Sequence, residues 1–258
     1  MYKSIVVSCD TYYYVLSNDL GIDAIARFLG PLGFGSRTGI DLEGESIGIL
    51  PSAEWKKQRF RRPEQQKWYA GETISVGIGQ GYNAYTPAQL AQALAAIVNN
   101  GAMYRPRLAS HVDNLRSGER RHLEPQLVRN IPLKPENVEF IKRAMAGVNK
   151  EGTGARAFAG VQYTNGGKTG TAQVIAIKAN EKYDEKKTAE RHRDHSLFIA
   201  FAPLDNPKIA LAVIVENGGF GARAAAPIAR TVLDYFLLGK LPDAPLKPPP
   251  DEGDKEED

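Results

Sequence analysis

The sequence is poor in three features, each of which would have pointed to a particular class of protein. Cys9 is the one cysteine among 258 residues, so no disulfide bond can form within the chain. The apolar runs are short, residues 209–215 being among the longest, whereas a membrane-spanning helix needs roughly 18 apolar residues in a row. Neither sign of charge is in strong excess, since 33 basic and 30 acidic residues leave a net charge of +3. These absences argue against a disulfide scaffold, a membrane span within this sequence and a nucleic-acid partner.

What the sequence does contain suits a globular fold. Hydrophobic residues make up 42% and charged residues 24% of the chain, which fits one large domain or two small ones. Helices, then three closely spaced strands, then a last helix predict an α/β protein of the α+β type, with one antiparallel sheet covered by helices. We assign residues 1–240 to this domain. Residues 241–258 hold five prolines and end in an acidic run, so they are predicted to be a disordered tail.

Apolar periodicity and turn residues place the individual elements. Residues 1–10 show neither a helix nor a strand pattern, and Asp10 or Thr11 is the expected N-cap of the first helix. Residues 38–69 are predicted to be irregular, with an exposed basic and aromatic part at 55–68, and residues 178–195 to be an exposed loop. The predicted helices are 12–29, 86–100, 135–148 and 224–238, and the predicted strands are 171–177, 197–202 and 209–215.

The Gly-Lys-Thr run at Lys168 fits two chemistries. A phosphate-binding loop needs a glycine at position 162 and a following helix, but the chain has Gln162 and a β-branched run there. The other chemistry is the K-T-G motif, whose strand borders the active-site cleft of β-lactamases and penicillin-binding proteins. Gly170 would let a peptide pair along that strand, and Lys168 would attract its carboxylate. Taken alone, the motif is equally compatible with a glycine-rich turn that enters an ordinary strand.

A second short motif, Ser8-Cys9-Asp10, lies directly before a predicted helix. In the K-T-G enzymes a Ser-x-Asn motif faces the lysine strand across the cleft, and its serine hydroxyl relays a proton. Without the later lysine strand, a serine and an aspartate at this place would indicate only a helix N-cap.

Together these motifs identify a family. Residues 4 to about 240 resemble the C-terminal part of the transpeptidase domain of the class B, elongation-type penicillin-binding proteins of Gram-negative bacteria. The resemblance is carried by five segments in a specific order: SCDTYYY (8–14), TGIDL (38–42), GIGQGY (77–82) followed by Thr86-Pro87, KTGTAQV (168–174) and ENGG (216–219).

The resemblance implies a fold shared with serine β-lactamases: a five-stranded antiparallel sheet between helical layers, with Lys168 on the third strand. It also implies the roles of the site residues. Ser8 is the proton relay and Lys168 is its electrostatic partner. Thr169 and Thr171 bind the substrate carboxylate beside Gly170, and the Thr171 N–H is one donor of the oxyanion hole. Asp10 occupies a further substrate-binding position.

The implied activity is peptidoglycan D,D-transpeptidation, in which stem peptides are cross-linked through an acyl-enzyme that β-lactam antibiotics trap. No cofactor is implied. Family members work at the periplasmic face of the inner membrane together with membrane proteins of the elongation complex, and they are held there by an anchor that this sequence does not contain.

Three departures qualify the resemblance. The family's nucleophile lies in a Ser-x-x-Lys motif ahead of the Ser8 position, and no serine in this chain has lysine three residues later; the domain is therefore expected to be N-terminally truncated and inactive alone. Asp10 replaces asparagine, and an ionised carboxylate cannot donate a hydrogen bond. Cys9 is a conceivable zinc ligand, as in some relatives, but one thiolate does not make a zinc site.

Two other functions remain open from the sequence. A serine β-lactamase or D,D-carboxypeptidase also uses K-T-G, although no residue that would activate a deacylating water is evident. A non-catalytic penicillin- or peptidoglycan-binding module would share the fold without the nucleophile. A Ser-x-x-Lys segment ahead of this sequence would favour the transpeptidase, and its absence would favour a binding module.

Overall fold

The structure, a computed structural model, describes residues 1–175 and 188–241. Most of the predicted loop at 178–195 and all but the first residue of the predicted tail at 241–258 lie outside the described residues. Within those residues no helix is both long enough and apolar enough to cross a membrane.

The chain begins with three short helices: α1 (Tyr2–Val6), α2 (Asp10–Leu20) and α3 (Ile22–Leu29). The sequence prediction of no element in residues 1–10 and of one helix over 12–29 is wrong. Gly21 adopts a φ of 74°, outside the helical region, and so separates α2 from α3.

The segment 38–69, predicted to be irregular, holds two short helices, α4 (Ala53–Arg59) and α5 (Pro63–Gln66), and is followed by α6 (Ala70–Gly77). Its centre is Lys56, which is only 3% exposed. The Lys56 ammonium donates to the Glu72 carboxylate and, at 2.8 Å, to the Lys67 carbonyl, and it lies near the Trp68 and Tyr82 rings. Most of residues 55–68 are exposed, as predicted, and Lys56 is the exception. It can be buried because these partners satisfy its charge.

The later helices agree with the prediction to within a few residues at their ends. Helix α7 (Pro87–Val98) starts with a capping box between Thr86 and Gln89 and with proline in its first turn. The others are α8 (Pro135–Glu151) and α10 (Ala225–Leu238). The four-residue helix α9 (Ala155–Phe158), which lies between them, was not predicted.

Between α7 and α8 the chain makes two small antiparallel pairs. Strand β1 (Ala102–Tyr104) pairs with β4 (Leu127–Asn130), and β2 (His111–Asp113) pairs with β3 (Arg120–His122).

The main sheet has the order β5-β6-β7 and is antiparallel throughout: β5 (Gly166–Ala172), β6 (His195–Ala202) and β7 (Ile209–Val215). The α+β class is confirmed, but five strands is wrong for the described residues, where this sheet has three. The four remaining strands are only three or four residues long and pair with one another. The lysine strand also ends earlier than predicted, at Ala172.

Helices cover both faces of this sheet. On one face Phe198, Ala200 and Ala202 pack against α10 and Phe158. On the other face Phe201 packs against Leu94 and Val98 of α7 and Met145 of α8. Strand β5 has β6 as its single strand neighbour in the described sheet, so its other edge is available to a ligand.

Candidate active site

Ser8 and Lys168 meet although 160 positions separate them in the chain. The Lys168 Nζ donates to the Ser8 Oγ at 2.8 Å. Lys168 lies opposite Ile199 in the β5–β6 register, and Ser8 lies in the turn that joins α1 to α2. The sequence predicted this pair, and the structure brings the two side chains into direct contact.

The turn that holds Ser8 is tightly constrained. Ser8 has a φ of 56°, in the left-handed region that non-glycine residues rarely adopt. The Cys9 N–H donates to the Ser4 carbonyl at 2.9 Å. Helix α1 packs closely against α8, since a Cβ at Gly152 would lie 2.2 Å from the Val6 carbonyl oxygen. The Ser8 hydroxyl is therefore presented from a fixed backbone.

Burial lowers the pKa of Lys168 to about 8, and the negative charge of Asp10 opposes that shift. An ammonium taken out of water loses hydration that one hydroxyl and two threonine oxygens only partly replace. Because the pKa lies near neutrality, Lys168 can carry a proton or release it within the physiological range.

The threonines of β5 extend this arrangement. The Lys168 Nζ also donates to the Thr169 carbonyl at 3.1 Å and contacts the Thr169 Oγ1 at 3.4 Å. The Thr169 hydroxyl in turn shares a hydrogen bond of 2.9 Å with Thr153, which follows α8. The sequence analysis missed Thr153, and its only local signal was its position between Gly152 and Gly154.

Asp10 and Cys9 lie beside Ser8 in different roles. Asp10 is exposed, and it is the first residue of α2. The predicted N-cap, Asp10 or Thr11, is wrong: Cys9 occupies that position with an extended backbone and makes no side-chain capping bond. Among the described residues no group of three or more His, Cys, Asp and Glu is arranged to hold a metal ion. Cys9 thus lacks the other ligands that zinc requires within the described chain.

A glutamine from the glycine-rich loop after α6 reaches the same strand. The Gln80 Nε2 donates to the Thr171 carbonyl at 2.8 Å, and the Gln80 Oε1 accepts from the Gln173 N–H at 3.4 Å. The sequence analysis noted the loop but did not identify Gln80, because no local pattern shows which side chain will reach a strand about 90 positions later.

Comparisons with known proteins agree with this geometry. The family model described as the penicillin binding protein transpeptidase domain matches residues 1–234. The chain is 43% identical over 244 residues to the peptidoglycan D,D-transpeptidase MrdA of Haemophilus influenzae, covering 93% of this chain and 36% of that protein.

Solved structures show the same fold. Pseudomonas aeruginosa PBP2, determined in complex with WCK 5153, superposes with a TM-score of 0.76 at 39% identity, over 94% of this chain and 50% of that one. Helicobacter pylori PBP2, in a complex with MreC, superposes with a TM-score of 0.72 at 28% identity, over 93% of this chain and 40% of that one. The present chain therefore spans about a third to a half of the length of these relatives.

Proposed function

The chain belongs to the penicillin-binding protein transpeptidase family, as the sequence motifs indicated, and on that premise we propose that it forms part of a peptidoglycan D,D-transpeptidase. The reaction is an acyl transfer in two steps. A serine attacks the penultimate D-alanine carbonyl of one stem peptide, and the amine of a second stem peptide then resolves the acyl-enzyme. β-Lactams would act as substrate analogues that acylate the same serine.

The observation that carries this proposal is the contact of 2.8 Å between Lys168 and Ser8. A hydroxyl held by an ammonium whose pKa is about 8 is suited to passing a proton toward a leaving nitrogen while it takes one from the lysine. The same ammonium supplies positive charge for the terminal carboxylate of a stem peptide or the carboxylate of a penicillin.

The other predicted site residues would bind the substrate along the outer edge of β5 or beside it. The Thr169 and Thr171 hydroxyls would donate to the carboxylate, and Gly170 would leave room for the peptide backbone. The Thr171 N–H would be one donor to the oxyanion that forms on the attacked carbonyl. Asp10 would border the substrate and help to keep Lys168 charged, because its charge raises the pKa of that lysine.

The nucleophile is proposed to come from outside this sequence. None of the serines of this chain has lysine three residues later, so the Ser-x-x-Lys segment would be contributed from the region ahead of Ser8. In the complete protein the domain would act at the periplasmic face of the inner membrane. A partner of the MreC kind is consistent with the complex of the Helicobacter relative.

We expect this polypeptide alone to remain unlabelled by a fluorescent penicillin, because it contains no serine–lysine pair that β-lactams acylate. The measurement is in-gel fluorescence together with mass spectrometry of the intact chain. A longer version that includes the preceding Ser-x-x-Lys segment is the matched control and should be labelled stoichiometrically. Stoichiometric acylation of the short chain at any of its own serines would contradict the assignment of the nucleophile.

A pH profile tests the role of the Lys168 charge. The lysine is charged below pH 8 and loses its proton as the pH rises through about 8, so the attraction for a carboxylate disappears above that value. In the complete protein, the second-order rate of penicillin acylation should fall on the alkaline side with a midpoint near pH 8. Lys168→Arg should lack this fall up to pH 10, because a guanidinium stays charged. A flat wild-type profile would contradict the assignment.

A further inference from the structure

The side-chain amide of Gln80 binds β5 as the peptide group of a neighbouring strand would. Its Nε2 donates to the Thr171 carbonyl at 2.8 Å, and its Oε1 accepts from the Gln173 N–H at 3.4 Å. One amide thus engages an acceptor in β5 and a donor two residues later, just past the end of the strand, which is the spacing that a paired strand uses. The contact lies where β5 ends, directly after Ala172.

In an antiparallel strand, the backbone N–H and C=O groups of successive residues point alternately to the two sides. This alternation shows how the Gln80 contact affects the outer edge of β5. The Thr171 carbonyl points away from β6, and the N–H of the same residue points to the same side; Thr169, two residues earlier, shares that orientation. Lys168 Nζ binds the Thr169 carbonyl and Gln80 Nε2 binds the Thr171 carbonyl. The outward carbonyls of Thr169 and Thr171 are therefore each engaged by a donor. A negative charge that develops beside them is repelled less by these oxygens when it approaches the N–H groups.

The loop that carries Gln80 is itself held in place. The Gln80 N–H donates to the Ser75 carbonyl at 3.0 Å, and the Asn83 side chain donates to the Gln80 carbonyl at 3.0 Å. Gly79 and Gly81 on either side have φ values of 81° and 69°, which glycine adopts without strain. Next in the loop, the Tyr82 hydroxyl donates to Glu72, the partner of buried Lys56.

The composition of β5 explains why a fixed contact from the Gln80 loop would stabilise it. Three of the seven residues of β5 are glycine, and glycine loses more backbone entropy on ordering than any other residue. An edge strand of this composition frays easily unless its outer side is also bound.

We propose that Gln80 is a positioning residue for acyl transfer. By donating to the Thr171 carbonyl it fixes the end of β5, so that the Thr171 N–H points at the oxyanion. This inference rests on the proposed transpeptidase function. Gln80 acts through Thr171 and does not itself touch the reacting atoms. Its contribution falls on the acylation step, where the negative charge develops, and not on the initial binding of the ligand.

The test uses the complete protein and separates the non-covalent dissociation constant for penicillin from the first-order acylation rate constant. Gln80→Ala and Gln80→Met should each lower the acylation constant roughly 2- to 10-fold, the loss expected for one neutral hydrogen bond, with the dissociation constant unchanged. Methionine keeps the length of the side chain, so equal losses would assign the effect to the amide. Gln80→Glu should lose more, because an ionised carboxylate not only cannot donate but also places a negative charge against the Thr171 carbonyl oxygen. Exposed Gln162→Ala is the matched control.

Hydrogen exchange supplies a readout that needs no activity. In Gln80→Ala, the peptide that contains residues 169–175 should exchange faster than in wild type, while the thermal melt and the remaining peptides stay the same. Unchanged exchange, or an unchanged acylation constant in all three variants, would overturn the inference. A wild-type protein that penicillin does not acylate would overturn the proposed function as well. An active wild type whose variants acylate at the wild-type rate would overturn this inference alone.

Discussion

Replacing Lys168 with alanine in the complete protein is expected to slow penicillin acylation at least about a hundredfold, since a proton relay contributes about 10²–10⁴ in rate. The change removes the donor to the Ser8 hydroxyl at 2.8 Å and the positive charge offered to the carboxylate. A charge-assisted hydrogen bond adds roughly 1.5–3 kcal/mol to this loss. Because removal of a partly buried charge relieves a desolvation cost, the thermal melt should not fall.

Lys168→Arg separates charge from geometry. Its guanidinium keeps the positive charge, but it is planar and bulkier and cannot release a proton near neutral pH, so the relay should stay lost. The measurement is the second-order rate of acylation for wild type and both variants, with melts recorded in parallel. Near-wild-type rates in both variants would mean that Lys168 only solvates the end of a strand, and the mechanism proposed for Ser8 would be wrong.

Replacing Phe198 with alanine should have the largest effect on stability, a loss of about 3–5 kcal/mol in the free energy of unfolding. Phe198 is 1% exposed, stacks on Phe158 with 5.5 Å between ring centroids and packs against α10. Its ring also fills the space beside Gly167, where a Cβ would lie 2.6 Å from it. The cavity therefore opens directly beside the lysine strand.

The control is Phe220→Ala, because the Phe220 ring is 42% exposed and its carbonyl, which accepts from Ser196, is retained. This variant should change the free energy of unfolding by about 0.5 kcal/mol or less, the usual range for a surface change. Denaturant unfolding of the complete protein and both variants provides the comparison. A loss at Phe198 no larger than that at Phe220 would show that this face of the sheet is not a packed core.

Local signals in the sequence were sufficient for several elements. Helix α7 was predictable because Thr86, Pro87 and Gln89 satisfy its first turn within a few residues of one another. Strands β6 and β7 were predictable because each is a short apolar run bounded by turn residues. The division into α2 and α3 was missed because one glycine inside an apolar pattern does not by itself reveal its φ.

The candidate site was predictable only in part. The K-T-G segment and Ser8 were identified by family resemblance, since neither motif is specific alone. The contacts of Gln80 and Thr153 were not predictable, because both depend on which loop lies beside β5 in the folded chain. The burial of Lys56 was mispredicted for the same reason: its counter-charge, Glu72, is 16 positions away.

By itself, then, the sequence determined the secondary elements whose caps and periodicity are local, the α+β class, and the identity of the residues at the strand edge. Only the tertiary structure decided that the described sheet has three strands, that Lys168 touches Ser8, and that burial brings the pKa of Lys168 to about 8. The physical reason is the range of the interactions. Caps and periodic faces act over a few residues, whereas desolvation and hydrogen bonds between distant segments depend on every element packed around them.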